Sequence, residues 1–316
     1  MARPNLVCQL PILYRSLPLS GLELRPRSAT EIVDAAFQLY RQQFAALVML
    51  SAVIFTPYIL LELLLTGGQS SSTTVEPVAM VVLFGTAWVF SSLSEAAIVM
   101  AVSNSYLRGE PDPADSLRRT ARRLAAVMVA ILAKWLAIGL GLGFGLATGV
   151  VGAGLLTAFV ALLNLGSASV IVVTVLAAGA LVLGIWFAYH VFARYFAIPA
   201  TVVLEGVGVR AALRRSSALS QGYKGKIFGA LALPMLLFFA IQFVMMATLE
   251  LLPGPRYLSS LGWQIINVVI SPILSVIATL LYYDARIRKE GFDIQVMAAE
   301  LGAASADAQL PPVPSH

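Results

Sequence analysis

Three ionisable side chains interrupt long apolar stretches of the chain: Glu95, Lys134 and His190. Ionisable groups inside a membrane span are costly and usually mark a functional site. Each of the three lies about 12–14 Å from the nearer basic end of its stretch, at 1.5 Å per residue of helix. A carboxylate, an ammonium and an imidazole at one depth could relay protons or bind an anion. The sequence therefore indicates an intramembrane polar cluster.

A structural role explains the same residues. Glu95 and Lys134 would form one buried ion pair, a common way of making two costly charges tolerable. His190 would bond to a backbone carbonyl or a hydroxyl group. This alternative predicts a carboxylate oxygen of Glu95 within ~4 Å of the Lys134 ammonium, the usual limit of an ion pair.

Catalytic chemistry is not indicated by the remaining residues. The two histidines, His190 and His316, do not assemble a metal site, and no nucleophile–base pair can be built around His190. The run from Gly139 to Gly143 resembles a nucleotide-binding loop, but it lies within an apolar stretch with no strand before it. We therefore expect no enzyme, no catalytic residue, no metal and no cofactor.

Glycines recur every four residues in the third apolar stretch, at Gly141, Gly145 and Gly149. Small residues at this spacing let two membrane helices approach closely. We expect these glycines to pack helix against helix. The alternative is a hinge that moves with a substrate.

The composition is that of a membrane protein. The 316 residues are 59% hydrophobic and 12% charged, whereas a soluble domain carries about 25% charged residues. A span needs about 20 mostly apolar residues, which predicts an all-α integral membrane protein with six transmembrane helices in three hairpins. The predicted spans are residues 44–66, 78–104, 124–147, 170–198, 227–252 and 261–283. We expect 148–169 to be an outer or partly re-entrant loop, because a seventh span would misplace a basic loop.

Positive charge predicts the orientation of these spans. Lys134 and Arg256 lie apart from the other lysines and arginines. Four short segments hold the rest: residues 3–41, 108–123, 194–226 and 286–289. Basic loops stay on the cytoplasmic side, so both termini are predicted to be cytoplasmic, in a bacterial cytoplasmic (inner) membrane. Orientation and anionic lipid explain these charges without nucleic acid.

The basic segments share a layout that indicates three copies of one unit. Glycine follows each pair of spans, at Gly109, Gly206 and Gly291. Amphipathic segments are predicted to form helices in the headgroup plane at 28–43, 112–123 and 208–221. Ser28 and Glu31 begin the first of them as a capping box. The alternative is that apolar spans simply resemble one another in composition.

Three segments resemble motifs of one known family. Residues 24–40, 203–216 and 281–293 are similar to the opening, central and closing motifs of the membrane domain of bacterial glycerophosphoryl diester phosphodiesterases. The resemblance implies a stand-alone six-helix membrane domain over 24–293, without the catalytic barrel and therefore without hydrolase activity. It leaves 1–23 as a flexible tail and 294–316 as a short amphipathic helix with a disordered tail.

Basic side chains are denser on the predicted cytoplasmic face than orientation requires. We expect this face to bind membrane lipids or a larger membrane complex, as in an accessory, scaffold or anchoring protein. A mesh of salt bridges with Glu205, Asp284, Glu290 and Asp293 is the structural alternative. The functional alternative is a transporter or channel for a small solute or lipid, using the intramembrane cluster. The residues of the basic face are Arg118, Arg119, Arg122, Arg123, Arg214, Arg215, Arg286, Arg288 and Lys289.

Overall fold

The computed structural model is all-α over the residues that it describes, which confirms the predicted fold class. These residues are 25–66, 77–108, 113–162, 168–251 and 256–298. The helices are α1 (Ala29–Gln42), α2 (Phe44–Thr66), α3 (Pro77–Arg108), α4 (Pro113–Ala121), α5 (Leu124–Leu162), α6 (Ala168–Arg194), α7 (Ile198–Leu204), α8 (Val209–Ser220), α9 (Lys224–Leu251) and α10 (Arg256–Glu290). Residues 292–298 are also helical. The predicted tail at 1–23 lies outside the described residues, as do the last residues from 299.

Six helical stretches within the described ranges are long and apolar enough to cross a membrane. They correspond to α2, α3, α5, α6 with α7, α9 and α10. A lipid-exposed segment must satisfy its backbone internally, which explains why such apolar runs are helical. Pro57, Pro234 and Pro272 lie inside α2, α9 and α10. The chain is therefore a multi-pass membrane protein.

The third span continues further than the sequence predicts. Helix α5 has 39 residues, or about 58 Å at 1.5 Å per residue. It runs through 148–162, where we expected an outer or partly re-entrant loop; a loop without helix was wrong for these residues, and a re-entrant course stays a prediction. The physical reason is that this segment is apolar and has neither a proline nor a charge that would end the helix.

The fourth predicted span is broken into two helices, α6 and α7. Pro199 lies at the start of α7, where the missing N–H of proline is tolerated. The Ser216 hydroxyl closes the break. Its oxygen accepts the backbone N–H of Ala197 at 3.1 Å and donates to the Arg194 carbonyl at 3.1 Å. One side chain from α8 therefore satisfies two backbone groups left by the break.

The chain divides into two compact units, residues 1–122 with 229–316, and residues 123–228. In the first unit, α1, α2 and α3 all pack against α10. This surrounds the second half of α10, where Ile277, Leu281 and Tyr282 are fully buried. In the second unit, α5 packs on α6, α7 and α8. All six residues from Ile198 to Val203 in α7 are buried.

The first helix of each predicted hairpin buries residues at the same spacing. Counted from the first buried residue, the first four buried positions are 0, 3, 4 and 7 in all three helices. They are Leu47, Leu50, Ser51 and Ile54 in α2, Val127, Ala130, Ile131 and Lys134 in α5, and Ile227, Ala230, Leu231 and Pro234 in α9. This spacing is that of any helix with one buried face, so the threefold repeat stays a prediction; in this register Lys134 has the position that Ile54 and Pro234 occupy.

The first short helix, α1, runs lengthwise along α10. The backbone N–H of Arg27 donates to Asp284 at 2.7 Å, and the Tyr40 hydroxyl donates to the Val269 carbonyl. Residues 27–40 and 269–284 each extend about 20 Å, so the two helices are roughly antiparallel. This contact differs from the flat orientation in the headgroup plane predicted for 28–43. The reason is that α10 covers the apolar face of α1, which includes Ile32.

Candidate functional site

The predicted intramembrane cluster is divided between the two units. Lys134 on α5 is 4% exposed, and its ammonium lies 5.6 Å from the centre of the Trp135 ring. Glu95 is half-buried on α3 in the other unit. A Glu95–Lys134 ion pair would join the two units, and it stays a prediction.

His190 makes the kind of contact that its structural role predicts. Its Nδ1 atom lies 2.9 Å from the Trp186 carbonyl oxygen, one turn earlier on α6. The two rings are in contact, with centres 4.1 Å apart. Because a carbonyl can only accept, Nδ1 is the donor in this contact, which leaves Nε2 for any other partner. A proton relay through His190 would therefore use Nε2.

Gly141 allows a close helix contact between α5 and α6. A Cβ atom at this position would lie 2.2 Å from a carbon of the Phe187 ring, far inside van der Waals contact. The predicted packing role thus has a specific partner at Gly141. Gly145 and Gly149 lie further along α5, and their surroundings are outside the described side chains.

Four arginines of the predicted basic face form ion pairs with carboxylates, as in the salt-bridge alternative. In two of these pairs, the arginine and its carboxylate are one helical turn apart in α10. In the Arg215–Glu205 pair the single Nε–H of the arginine is shared between the two carboxylate oxygens, at 3.1 Å and 2.9 Å. The four pairs are Arg119–Asp115 at 2.6 Å, Arg215–Glu205 at 2.9 Å, Arg286–Glu290 at 3.2 Å and Arg288–Asp284 at 3.3 Å.

Other members of the basic face are exposed. Arg118, Arg122 and Arg214 are exposed and form no ion pair with any residue that the structure describes. Lys289 is exposed at the end of α10. The basic face thus contains arginines that are paired with carboxylates, and three others, Arg118, Arg122 and Arg214, whose charge faces outward.

Arg123 has a further structural role at the turn that follows α7. Its guanidinium group covers Gly206, where a Cβ atom would lie 2.4 Å from the nearest nitrogen. Gly206 also has a φ of 69°, which a residue with a side chain adopts only at a cost. The glycine that the sequence pattern singled out is therefore required by both its backbone conformation and its neighbour.

A polar group that the sequence analysis did not bring together links α10 to α2 and to α9. We call it the Glu62 cluster; its members are Tyr58, Glu62, Gln242, Gln264 and Asn267. Gln264 donates to Glu62 at 3.0 Å, and Gln242 donates to the Asn267 side-chain oxygen at 2.9 Å. The Tyr58 hydroxyl interacts with both Glu62 and Gln264. The signal in the sequence was Gln264 and Asn267, two amides three residues apart on one face of a span.

Comparison with known proteins adds no relative: the chain matches no protein-family model, no curated protein and no solved structure. The resemblance to the phosphodiesterase membrane domain therefore stays a prediction from the three sequence motifs.

Proposed function

We propose that the protein is a non-enzymatic membrane protein, an anchoring or accessory subunit whose short basic helices bind anionic lipid headgroups. The observation that carries this proposal is the outward charge of α4 and α8. Arg118 and Arg214 are exposed on these helices, while Thr120 and Ser216 on the same helices are fully buried. Each helix is thus held to the protein by one face and presents cations on the other.

Electrostatics makes anionic lipid the suitable partner for this surface. A lysine or arginine beside an anionic leaflet gains about 1 kcal/mol. Arg119 and Arg215, the next residues along the chain, are already neutralised by Asp115 and Glu205. The attraction would therefore come from the exposed arginines and not from their paired neighbours.

The topology supports the same proposal. The basic segments would lie at the cytoplasmic surface of a bacterial inner membrane, with both termini on that side. A stand-alone membrane domain of the kind that the motifs resemble would have an anchoring role and no hydrolase. The same surface would also suit a larger membrane complex.

The neighbouring arginines provide a matched experiment. The double variant R118Q/R214Q removes exposed charges, and R119Q/R215Q removes paired ones from the same helices. Native mass spectrometry of the protein from mixed phosphatidylglycerol and phosphatidylcholine should show that R118Q/R214Q loses about 10-fold or more of its preference for phosphatidylglycerol, since two cations are worth about 2 kcal/mol. The preference of R119Q/R215Q should change little. Equal losses, or none, would contradict lipid binding by this face.

A transporter or channel is the second candidate, and the burial of Lys134 is the observation that favours it. A buried ammonium within a span is typical of a solute or proton pathway. Flux of protons or small anions into proteoliposomes, compared between the wild-type protein and K134M, distinguishes the two functions. Flux that K134M abolishes would favour transport, and no flux would favour the anchor.

A further inference from the structure

The hydrogen bonds of the Glu62 cluster use the amide nitrogens of its members as donors. Gln264 donates to Glu62 and Gln242 donates to Asn267. Asn267 in turn donates its own amide nitrogen to the Trp263 carbonyl at 2.9 Å. This last bond turns the Asn267 oxygen towards Gln242 and therefore fixes the orientation of the Gln242 amide. The cluster also contains acceptor oxygens, on Tyr58, Glu62, Gln242 and Gln264.

One of these oxygens is buried without a partner. Gln242 is 4% exposed, and its Oε1 atom has no hydrogen-bond partner among the described residues. Leaving such a group unsatisfied costs about 1–3 kcal/mol. The site therefore calls for a bound donor or a cation.

The charge and chemistry of the cluster select the kind of cation. Glu62 is its one carboxylate, and the other acceptors are amide and hydroxyl oxygens. Hard metal cations take oxygen ligands, and rings of neutral carbonyl oxygens suit monovalent ions. A transition-metal site is not indicated, since no group of three or more His, Cys, Asp or Glu side chains occurs in the described ranges. We propose that the Glu62 cluster binds a monovalent metal cation.

The cluster lies near one end of its three spans. Glu62 and Gln242 lie in the last third of α2 and α9, and Gln264 lies in the first third of α10. This is the end opposite α1, because Arg27 contacts the other end of α10 at Asp284. A cation would enter from that side and tie α9 to α2 and α10, all within one unit.

The site is independent of the proposed lipid-binding face. None of its residues belongs to the basic helices, so the cation experiment can fail while the lipid experiment succeeds, or the reverse.

Thermal unfolding of the full-length protein in neutral detergent tests the proposal through tryptophan fluorescence. Sodium, potassium and lithium chlorides are titrated against choline chloride at constant ionic strength. A cation that binds only the folded state stabilises it, so we expect at least one of them to raise Tm by about 3 °C or more at saturation. E62Q and Q242L should lose this rise, whereas Q38L, which replaces an exposed glutamine on α1, should keep it. No rise over choline, or the same rise in E62Q and Q242L, would overturn the proposal.

A gain-of-affinity variant keeps the test valid if the loss variants fail to fold. Q242E places a second carboxylate beside the cation, so half-maximal stabilisation should need about 10-fold less of it, as for roughly 1.4 kcal/mol of added attraction. An unchanged midpoint in Q242E would overturn the proposal. The wild-type titration needs no variant. If no metal cation raises the Tm of the wild-type protein above its value in choline chloride, that result alone overturns the proposal.

Discussion

Asp284 accepts the backbone N–H of Arg27 at 2.7 Å, although 257 residues separate them in the sequence. Arg288 reinforces this contact by pairing with Asp284 at 3.3 Å and donating to the Arg27 carbonyl at 2.9 Å. Beside this contact, the ring of Tyr106 packs against the ring of Tyr283, with ring centres 5.2 Å apart. The opening and closing motifs, which we identified separately from the sequence, are thus two halves of one contact.

This contact predicts that D284A destabilises the protein. Asp284 is 3% exposed, and its loss leaves a buried N–H without its acceptor, which costs about 1–3 kcal/mol. Thermal or denaturant unfolding in detergent measures the loss. D34A removes an exposed carboxylate from α1 and should change stability by no more than about 0.5 kcal/mol. Equal effects of D284A and D34A would show that the Arg27 contact contributes nothing.

Ser216 predicts a second pair of variants. S216A should cost about 1–3 kcal/mol, because it leaves the buried Ala197 N–H of the α6–α7 break without a partner. S217A is the matched control, since the Ser217 hydroxyl accepts from the exposed Arg194 side chain at 2.9 Å. The S217A substitution should change the free energy of unfolding by no more than about 0.5 kcal/mol. Unfolding curves that coincide for the two variants would refute a role of Ser216 in closing the break.

Two glycines should respond to alanine with opposite signs. G206A forces a side chain into a left-handed conformation, at about 1–2 kcal/mol, and displaces the Arg123 guanidinium. G225A lies in α9 with open space around its Cβ position, and alanine stabilises a helix by up to about 1 kcal/mol over glycine. Chemical denaturation measures the free energy of unfolding of G206A and G225A against that of the wild-type protein. Destabilisation by G225A, or none by G206A, would argue against this interpretation.

The capping box predicts a pH dependence at the start of α1. Hydrogen bonds from the Ser28 backbone and side chain, and then from Arg25, lower the pKa of Glu31 from 4.5 to about 2. Because the folded-state pKa is depressed, the stabilisation is complete above about pH 4.5 and is lost as the pH falls towards 2. The wild-type protein should therefore have a higher Tm than E31Q at pH 7, with the difference closing between pH 4.5 and 2. A difference that persists at pH 2 would mean that Glu31 acts through packing.

The helices of the membrane domain were predictable wherever composition alone decides them. The second helix begins at Phe44 and ends at Thr66, as expected, because an apolar run in lipid can satisfy its backbone only as a helix. The end of α5 was not predictable from hydropathy, since nothing in residues 148–162 distinguishes an apolar loop from more helix. The break after α6 had a signal in Pro199, but its closure by Ser216 depends on a helix that follows later.

The candidate sites show the same limit. Lys134 and His190 were identifiable because single charges stand out within apolar runs. The Glu62 cluster was not, because Glu62 alone suggests a wet helix end. Its partners Gln242 and Gln264 come from helices about 200 residues away, and only tertiary packing brings them together. The residue types of the cluster are visible in the sequence, but which of these residues contact one another in the fold is not.

The contact between α1 and α10 has a consequence for biogenesis. The first helix leaves the ribosome long before the last one exists, and at about 5–20 residues per second the 257 residues from Arg27 to Asp284 take roughly 13–50 s. During that interval the apolar side of α1 lacks its permanent neighbour and needs lipid or a chaperone as a substitute. A chain truncated before α10 would keep that surface uncovered, so quality-control proteases have a direct way to distinguish finished protein from unfinished protein.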